Sequence, residues 1–387
     1  DNLFPVPAPG QSLVFNDGVF ESGVLTQAGP GIPTENLRFQ QRDDAQTEDF
    51  SFDLKWTPTD RINVNFEAQH IKSDNNLDGV IGAMQTYSDI FLDISEATPL
   101  VEFRPPAGSS QNTFDDPNAV FHWFLIDNQV RNTGELTSFR GDVDYDFGND
   151  DSFLKKARFG ARWADRNRVT RNTNFSNWGH LSAPWTGGGA VFANDPVAAG
   201  ASALRTPFED FQRGEVPTPI PGGSAFFYGG DDFVGEYLAG TTEQQASAIT
   251  AQSQTPIPWG PISARGNLVD GTVYNPGEIS DVDEETLAFY GRVDFGTDNF
   301  FSAGKLLEGN IGVRYVDTTI ITGGSISFPT NPPMLDQSCD PATVPPGGSL
   351  PGFCLLSDSR QAEFLGAFTG ETIVDDADIS FETRKPV

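Results

Sequence analysis

Sulfur is almost missing from this sequence, with two Cys and two Met in 387 residues. Cys339 and Cys354 lie in a Pro- and Gly-rich segment with no His nearby, which fits none of the usual zinc spacings. Their spacing suits a disulfide closing a loop in an oxidising compartment, the alternative being two free thiols. Basic residues are also scarce: 24 Lys and Arg stand against 54 Asp and Glu, a formal net charge of −30. That balance argues against nucleic acid and anionic lipid headgroups as partners. It leaves cations, neutral ligands or plain solubility. No run approaches the roughly 18 apolar residues of a transmembrane helix, which excludes the helical route across a membrane but not a β-barrel. The chain opens at Asp1 without the charged and apolar regions of a secretion signal, so none is expected within it.

What the chain has in plenty is 32 Phe, 40 Gly and 28 Pro. Aromatic- and Gly-rich composition suits many strands and long loops rather than helix bundles. The length fits two ordinary domains or one large barrel. The most regular stretch is 285–317. Leu287, Phe289, Gly291, Val293 and Phe295 alternate with Ala288, Tyr290, Arg292 and Asp294. Leu307, Gly309, Ile311, Val313 and Tyr315 then alternate with Glu308, Asn310, Gly312 and Arg314. Period-2 patterning of this kind makes strands with one apolar face. Turn chemistry between them, at 296–304, makes the pair a hairpin.

Two further hairpins share the design. Phe50, Phe52, Leu54 and Trp56 lead through a turn at 57–60, with Pro58 in its second position, to Ile62, Val64, Phe66 and Ala68. Phe139, Gly141, Val143, Tyr145 and Phe147 oppose Arg140, Asp142, Asp144 and Asp146. A turn at 148–152 leads on to Ala157, Phe159, Ala161 and Trp163, which oppose Lys156, Arg158, Gly160 and Arg162. Strands of ordinary proteins average about 5–6 residues; these run past ten. One hairpin alone fits either a soluble sandwich with one wet face or a membrane barrel with apolar side out and polar side in.

The connections separate the two readings. Short turns at 57–60, 148–152 and 296–304 alternate with long excursions, as in a barrel with short periplasmic turns and long extracellular loops. A long structureless span counts against a compact soluble domain. Residues 1–48 are expected to be an extracellular loop region, with a short hairpin around Val19 and Val24. Barrel strands occupy 49–171, broken by polar residues at 74–78, with an irregular strand at 81–94 and a short one at 100–104. The apolar stretch 119–126 has no assignment. Residues 172–284 form one long extracellular loop, with a short helix at 242–251 where Thr241 and Gln244 have capping-box spacing. A barrel hairpin at 285–321, a Cys-bearing loop at 322–370 and the start of a further strand at 371–387 complete the order. About nine strands is an odd number, and bacterial barrels close with even counts. The expectation is therefore an internal piece of a larger barrel, an antiparallel all-β fold.

The strings ETLAFYGRVDFG and LLEGNIGVRYVDT resemble a mid-barrel hairpin of TonB-dependent outer-membrane receptors. EDFSFDLKWTPTDRINVNFEAQH and FRGDVDYDFGNDDSFLKKARFGARWADR resemble other hairpins of those barrels. Together they cover under a third of the chain. The resemblance implies a barrel of about 22 strands with a plugged lumen, in the outer membrane of a Gram-negative bacterium. It implies uptake of a scarce nutrient, driven by the energy-transducing TonB complex. No plug, energy-coupling segment or terminal aromatic strand is found, so contact with that complex would run through parts not present in this sequence.

Residues on the polar face are expected to line the lumen: Arg140, Asp142, Asp144, Arg158, Arg162, Arg292 and Arg314. Asp142, Asp144 and Asp146 have the first spacing of a calcium loop. The sixth position is Phe147 and the twelfth Phe153, so that template fails. His70, His122 and His180 are scattered without partners, no Gly-rich phosphate loop follows a strand, and no carboxylate pair stands out from the rest. No enzyme, metal site or cofactor is expected. Trp56 beside its turn suits an interfacial aromatic girdle, to which Trp163, Tyr290 and Tyr315 are candidates. Candidate ligand contacts are Trp178, Trp185, Trp259, Phe227, Tyr228 and Tyr237, because aromatic faces stack on sugars and loops carry function. The segment 171–284 has four Arg, no Lys and thirteen acids, which disfavours a strongly anionic ligand. A neutral oligosaccharide is favoured over a ferric siderophore. A secreted β-sandwich that binds or cleaves carbohydrate is the rival reading.

Overall fold

The computed structural model describes all residues except 1–4, 28, 110–112, 149–151, 208–209, 221, 301–304, 328–338, 341–351, 367–371 and 376–387. The first half of the chain forms β1 (Val6–Pro7), β2 (Val14–Asn16), β3 (Val19–Thr26), β4 (Ile32–Thr59), β5 (Ile62–Asp93), β6 (Leu100–Arg104), β7 (Phe121–Asp146) and β8 (Leu154–Arg171). After these come β9 (Asn177–His180), β10 (Ser202–Arg205), β11 (Ala225–Tyr228), α1 (Phe233–Leu238) and α2 (Thr241–Ser253). The chain continues with β12 (Ile279–Phe300), β13 (Lys305–Ser327), α3 (Asp358–Gly366) and β14 (Thr372–Asp375). The fold is mostly β, dominated by a large antiparallel sheet of long strands, and no closed barrel forms among the described residues. The chain divides into two compact units. The first is Asp1–Asp44, Leu77–Val130 and Thr173–Gly266; the second is Ala45–Asn76, Arg131–Asn172 and Asn267–Val387.

In the second unit the ladder runs β4, β5, β7, β8, β12, β13, β14, each strand bonded to the next one along. The registers join side chains of one kind. Phe139 faces Trp163 and Val143 faces Phe159 across β7 and β8. Gly291 faces Phe159 across β12 and β8, and Val313 across β12 and β13. Because successive Cβ atoms point to opposite faces, one in-phase register keeps the whole sheet apolar on one side. That side is uncovered: Phe289 is 49%, Ile311 71% and Val313 73% exposed. Phe52, Leu54 and Phe159 are exposed too, whereas Val64 and Val293 are half-buried. Aromatic rings stack along it, Phe66 on Phe139 at 6.4 Å and Phe139 on Trp163 at 5.8 Å. Beside the short turns lie the Phe153–Phe295 pair at 5.2 Å and the Tyr145–Phe147 pair at 5.1 Å. Trp56 is exposed near its own turn.

The first unit has a true core. Val80, Met84, Leu125, Leu181, Tyr228 and Phe233 belong to one buried cluster, with Ile249 and Trp259. Helix α2 turns Thr242, Ala246, Ile249 and Ser253 inward, the spacing of a single helical face.

Several expectations need correction. Residues 32–48 are strand, not loop, since β4 begins at Ile32. Polar side chains do not break β5 at 74–78, because the ladder uses backbone groups and Asp78 accepts a 3.0 Å bond from the Gln129 side chain. The first turn is Asp60 and Arg61, two residues beyond the expected centre. The stretch 119–126 is mostly the start of β7. Residues 172–284 are folded rather than one open loop, with two strand pairings and two helices. Helix α2 has no capping box. Gly240 at φ 78° is its N-cap, so Thr241 is already helical. Residues 322–370 include the end of β13 and all of α3. Of 371–387, 372–375 are strand and 376–387 lie outside the described residues. Among the described residues there are fourteen strands, not nine, and three α-helices with several short 3-10 turns make the chain mostly rather than wholly β. Cys339 and Cys354 are joined in a disulfide.

Candidate functional site

Two arrangements can do chemistry, one in each unit. In the first unit, β7 and β9 pair antiparallel with Phe124 opposite His180 and Ile126 opposite Trp178. This register gathers rings. Trp123 lies 4.6 Å from His180 and 5.3 Å from Trp185, and Trp178 lies 4.8 Å from His180 and 5.9 Å from Phe124. Trp185 is 61% and Trp178 40% exposed. The result is a continuous aromatic surface open to ligand.

Phe121, only 1% exposed, packs behind the Trp123 ring at 6.4 Å and against Phe192 at 6.1 Å and Tyr87 at 6.4 Å. Phe121, Phe192 and Tyr87 also line a cavity of about 410 Å³ with Pro106, Pro184 and Asn118. No Asp, Glu, Lys, Arg or His is among the cavity's described lining. Aromatic faces, proline rings, hydroxyls and amides suit a neutral ligand that stacks and accepts a few hydrogen bonds.

Buried polar links hold this surface in place. Asp127 has no exposed area. Its carboxylate accepts from Asn177 Nδ2 at 2.5 Å, from the Tyr237 hydroxyl at 2.8 Å and from the Ile262 amide at 2.8 Å. Burial pushes its pKa up, against these three bonds. The His180 amide donates to Ile257 O at 2.8 Å and the Trp259 amide to His180 O at 2.9 Å. Gly179 lies against the Trp259 backbone, where a Cβ would overlap it. Burial also lowers the His180 pKa, which favours the neutral ring.

The six aromatic candidates therefore split. Trp178 and Trp185 are brought together through Trp123 and His180. Trp259, Phe227 and Tyr228 are 5%, 8% and 0% exposed and serve as core. Tyr237 is committed to Asp127. Trp123 and Phe124 complete the surface, Phe121 and Tyr87 line the cavity, and none of the four was singled out by the sequence. For Phe121, Trp123 and Phe124 the signal was the unassigned run AVFHWFLI, which carries three aromatic rings and a His in eight residues.

In the second unit the polar face is a charge ladder. Arg158 grips Asp144 with Nε at 2.5 Å and Nη2 at 2.8 Å, and Lys156 Nζ reaches the same carboxylate at 2.8 Å. Arg140 meets Asp142 at 2.8 Å and Glu67 at 3.6 Å, and Arg292 meets Asp294 at 2.7 Å. Tyr290, a girdle candidate from the sequence, lies on this polar side, where the alternation placed it. Its hydroxyl donates to Asp142 across the intervening strand, over Gly160, where a Cβ would overlap both groups. A depression of about 700 Å³ on this face is lined by Arg140, Arg162, Arg292, Arg314 and Tyr290. The seven lumen-facing candidates thus share one face, and four of them share one depression. Among the described residues no group of three or more His, Cys, Asp or Glu is placed to hold a metal. No known family matches this chain, and no curated protein matches it.

Proposed function

We propose that the long strands of the second unit are consecutive staves of an outer-membrane β-barrel. In this reading the chain belongs to a TonB-dependent receptor of a Gram-negative bacterium. It takes up a neutral nutrient, an oligosaccharide, that binds on the aromatic surface of the first unit. Passage through a plugged barrel would be driven by the TonB complex, and no residue here is assigned to plug or coupling. The observation that carries the reading is the uncovered apolar face of a next-neighbour antiparallel ladder, opposite a polar face whose Asp142, Asp144 and Asp294 each pair with a basic side chain. A soluble sandwich would place Phe289, Ile311 and Val313 under a second sheet. Lipid removes the cost of leaving them uncovered. About 9–11 residues of tilted strand cross a bilayer, and each long strand here exceeds that. The uncharged lining of the first unit's cavity supports a neutral ligand over a ferric siderophore.

Val313→Arg tests the membrane placement. On the lipid face near mid-bilayer it is expected to cost about 2–4 kcal/mol of folding into lipid vesicles. On a water-facing sheet so exposed a residue would be near neutral. Unfolding in guanidinium, followed by heat-modifiable gel migration, distinguishes the two. A cost below about 0.5 kcal/mol would sink the barrel.

A further inference from the structure

We propose that the arginine-lined depression of the second unit is a binding site for a small polyanion, a ligand carrying two or more carboxylate or phosphate groups. Sheet register builds it. Arg140 lies directly opposite Arg162 across β7 and β8, and Tyr290 directly opposite Arg314 across β12 and β13. Ala288, opposite Arg162 on β12, and Gly312, opposite Arg292 on β13, keep the floor low. Four guanidinium groups therefore surround a floor of small residues, with one carboxylate, Glu67, also on the lining and 3.6 Å from Arg140.

Their pairing is unequal. Arg140 and Arg292 have carboxylate partners. Arg162 and Arg314 have no ion pair among the described residues, in a chain with 54 acids. Arg162 moreover faces another arginine, and like charges directly opposite across a ladder are destabilising. A purely structural lining would have been matched, as Asp144 is matched by Arg158 and Lys156. A ligand that arrives with its own negative charge removes the repulsion. Planar guanidiniums bind carboxylate and phosphate through two parallel bonds, so two unmatched arginines suit a ligand with two such groups. The Tyr290 hydroxyl is held by Asp142, which fixes the ring as a wall. With a formal chain charge of −30, long-range attraction does not favour an anion, and binding rests on local contacts. The inference stands whether or not the strands lie in lipid.

The test uses the full chain in detergent micelles, titrated calorimetrically with citrate and with pyrophosphate at low salt. Both probes are expected to bind, and the carboxylate and phosphate arms show which group is preferred. Arg162→Gln/Arg314→Gln is expected to weaken binding at least about tenfold, with a melting temperature equal to or above that of the parent. Arg360→Gln, on the exposed α3, is expected to change nothing. Failure of both probes to bind the parent, or equal binding by the double variant, overturns the proposal. So does a fall in melting temperature with the double variant, which would make the arginines structural. Tighter Arg-dependent binding of tetraglutamate than of either probe would make the depression a seat for an acidic protein segment and overturn it too.

Discussion

A single glycine decides whether the polar face can form its longest link. Tyr290 on β12 reaches Asp142 on β7 only because Gly160 of β8 has no Cβ beneath the ring. Gly160→Ala is expected to cost about 1–3 kcal/mol by overpacking, measured by heat-modifiable migration or thermal unfolding in micelles. The cost should shrink by 0.5 kcal/mol or more in a Tyr290→Ala background, since contacting residues couple. Equal costs in both backgrounds would place the clash elsewhere. His122 offers a pH test. It has no exposed area; its Nδ1 lies 3.1 Å from Val191 O, which accepts the bond, and its Nε2 is buried without a partner. Burial lowers its pKa from 6.5 to about 4, against the Val191 bond and the charge of Asp195. A depressed histidine stabilises the fold fully above its unfolded pKa. The unfolded chain takes up the proton first as pH falls, so stability drops from about pH 6.5 to about 4 and then levels. The loss is on the order of 3 kcal/mol. Tryptophan fluorescence across that range should show it in the parent and not in His122→Asn.

At the scale of elements, β7 and β9 make the aromatic surface proposed to take ligand, and β7 with β8 makes the charge ladder. Trp178→Ala/Trp185→Ala removes exposed rings only. It is expected to weaken oligosaccharide binding about tenfold or more, stacking being worth roughly 0.5–1.5 kcal/mol per ring pair, while leaving the fold intact. Trp259→Ala instead removes a core ring and is expected to cost about 3–5 kcal/mol, with binding lost through unfolding. Titration calorimetry beside near-ultraviolet circular dichroism separates the two outcomes. Unchanged affinity in the double variant would remove this surface from the site. The cystine is an element-scale device as well. Reducing Cys339–Cys354, fifteen residues apart, should cost about 3 kcal/mol in the chain-entropy picture, read as a lower unfolding midpoint in dithiothreitol.

For the whole molecule, the uncovered apolar face sets the solvent it needs. Phe50, Phe52, Leu54, Trp56, Phe159 and Ile311 are all exposed, and apolar patches of that extent associate in water. Strand edges unpaired among the described residues add a second route to aggregation. The 387-residue chain is expected to aggregate in plain buffer and to become monodisperse in detergent. Sedimentation of a soluble monomer without detergent would favour the sandwich. Lowering salt should not rescue solubility, because the charge of −30 already repels and the drive to associate is apolar.

The sequence alone determined the faces. Alternation puts Phe139, Val143 and Phe159 on one side and Arg140, Asp144 and Arg158 on the other, because a strand's Cβ atoms alternate whatever surrounds them. Strand identity at 285–317, the helix near 242–251 and β6 followed from the same local physics. Tertiary structure decided the rest. The extent of β4 and β5 depended on neighbouring backbone partners, which polar side chains at 32–48 and 74–78 do not reveal. The fate of each aromatic between 171 and 284 depended on contacts far along the chain. Trp259 is buried because His180 binds its backbone, and Trp185 meets Trp123 across more than sixty residues of sequence. The bond from Tyr290 to Asp142 needed a register of three strands and a glycine between them. Periodicity is a property of the backbone and can be read residue by residue; burial and convergence are properties of packing, set by distant segments that local pattern does not encode.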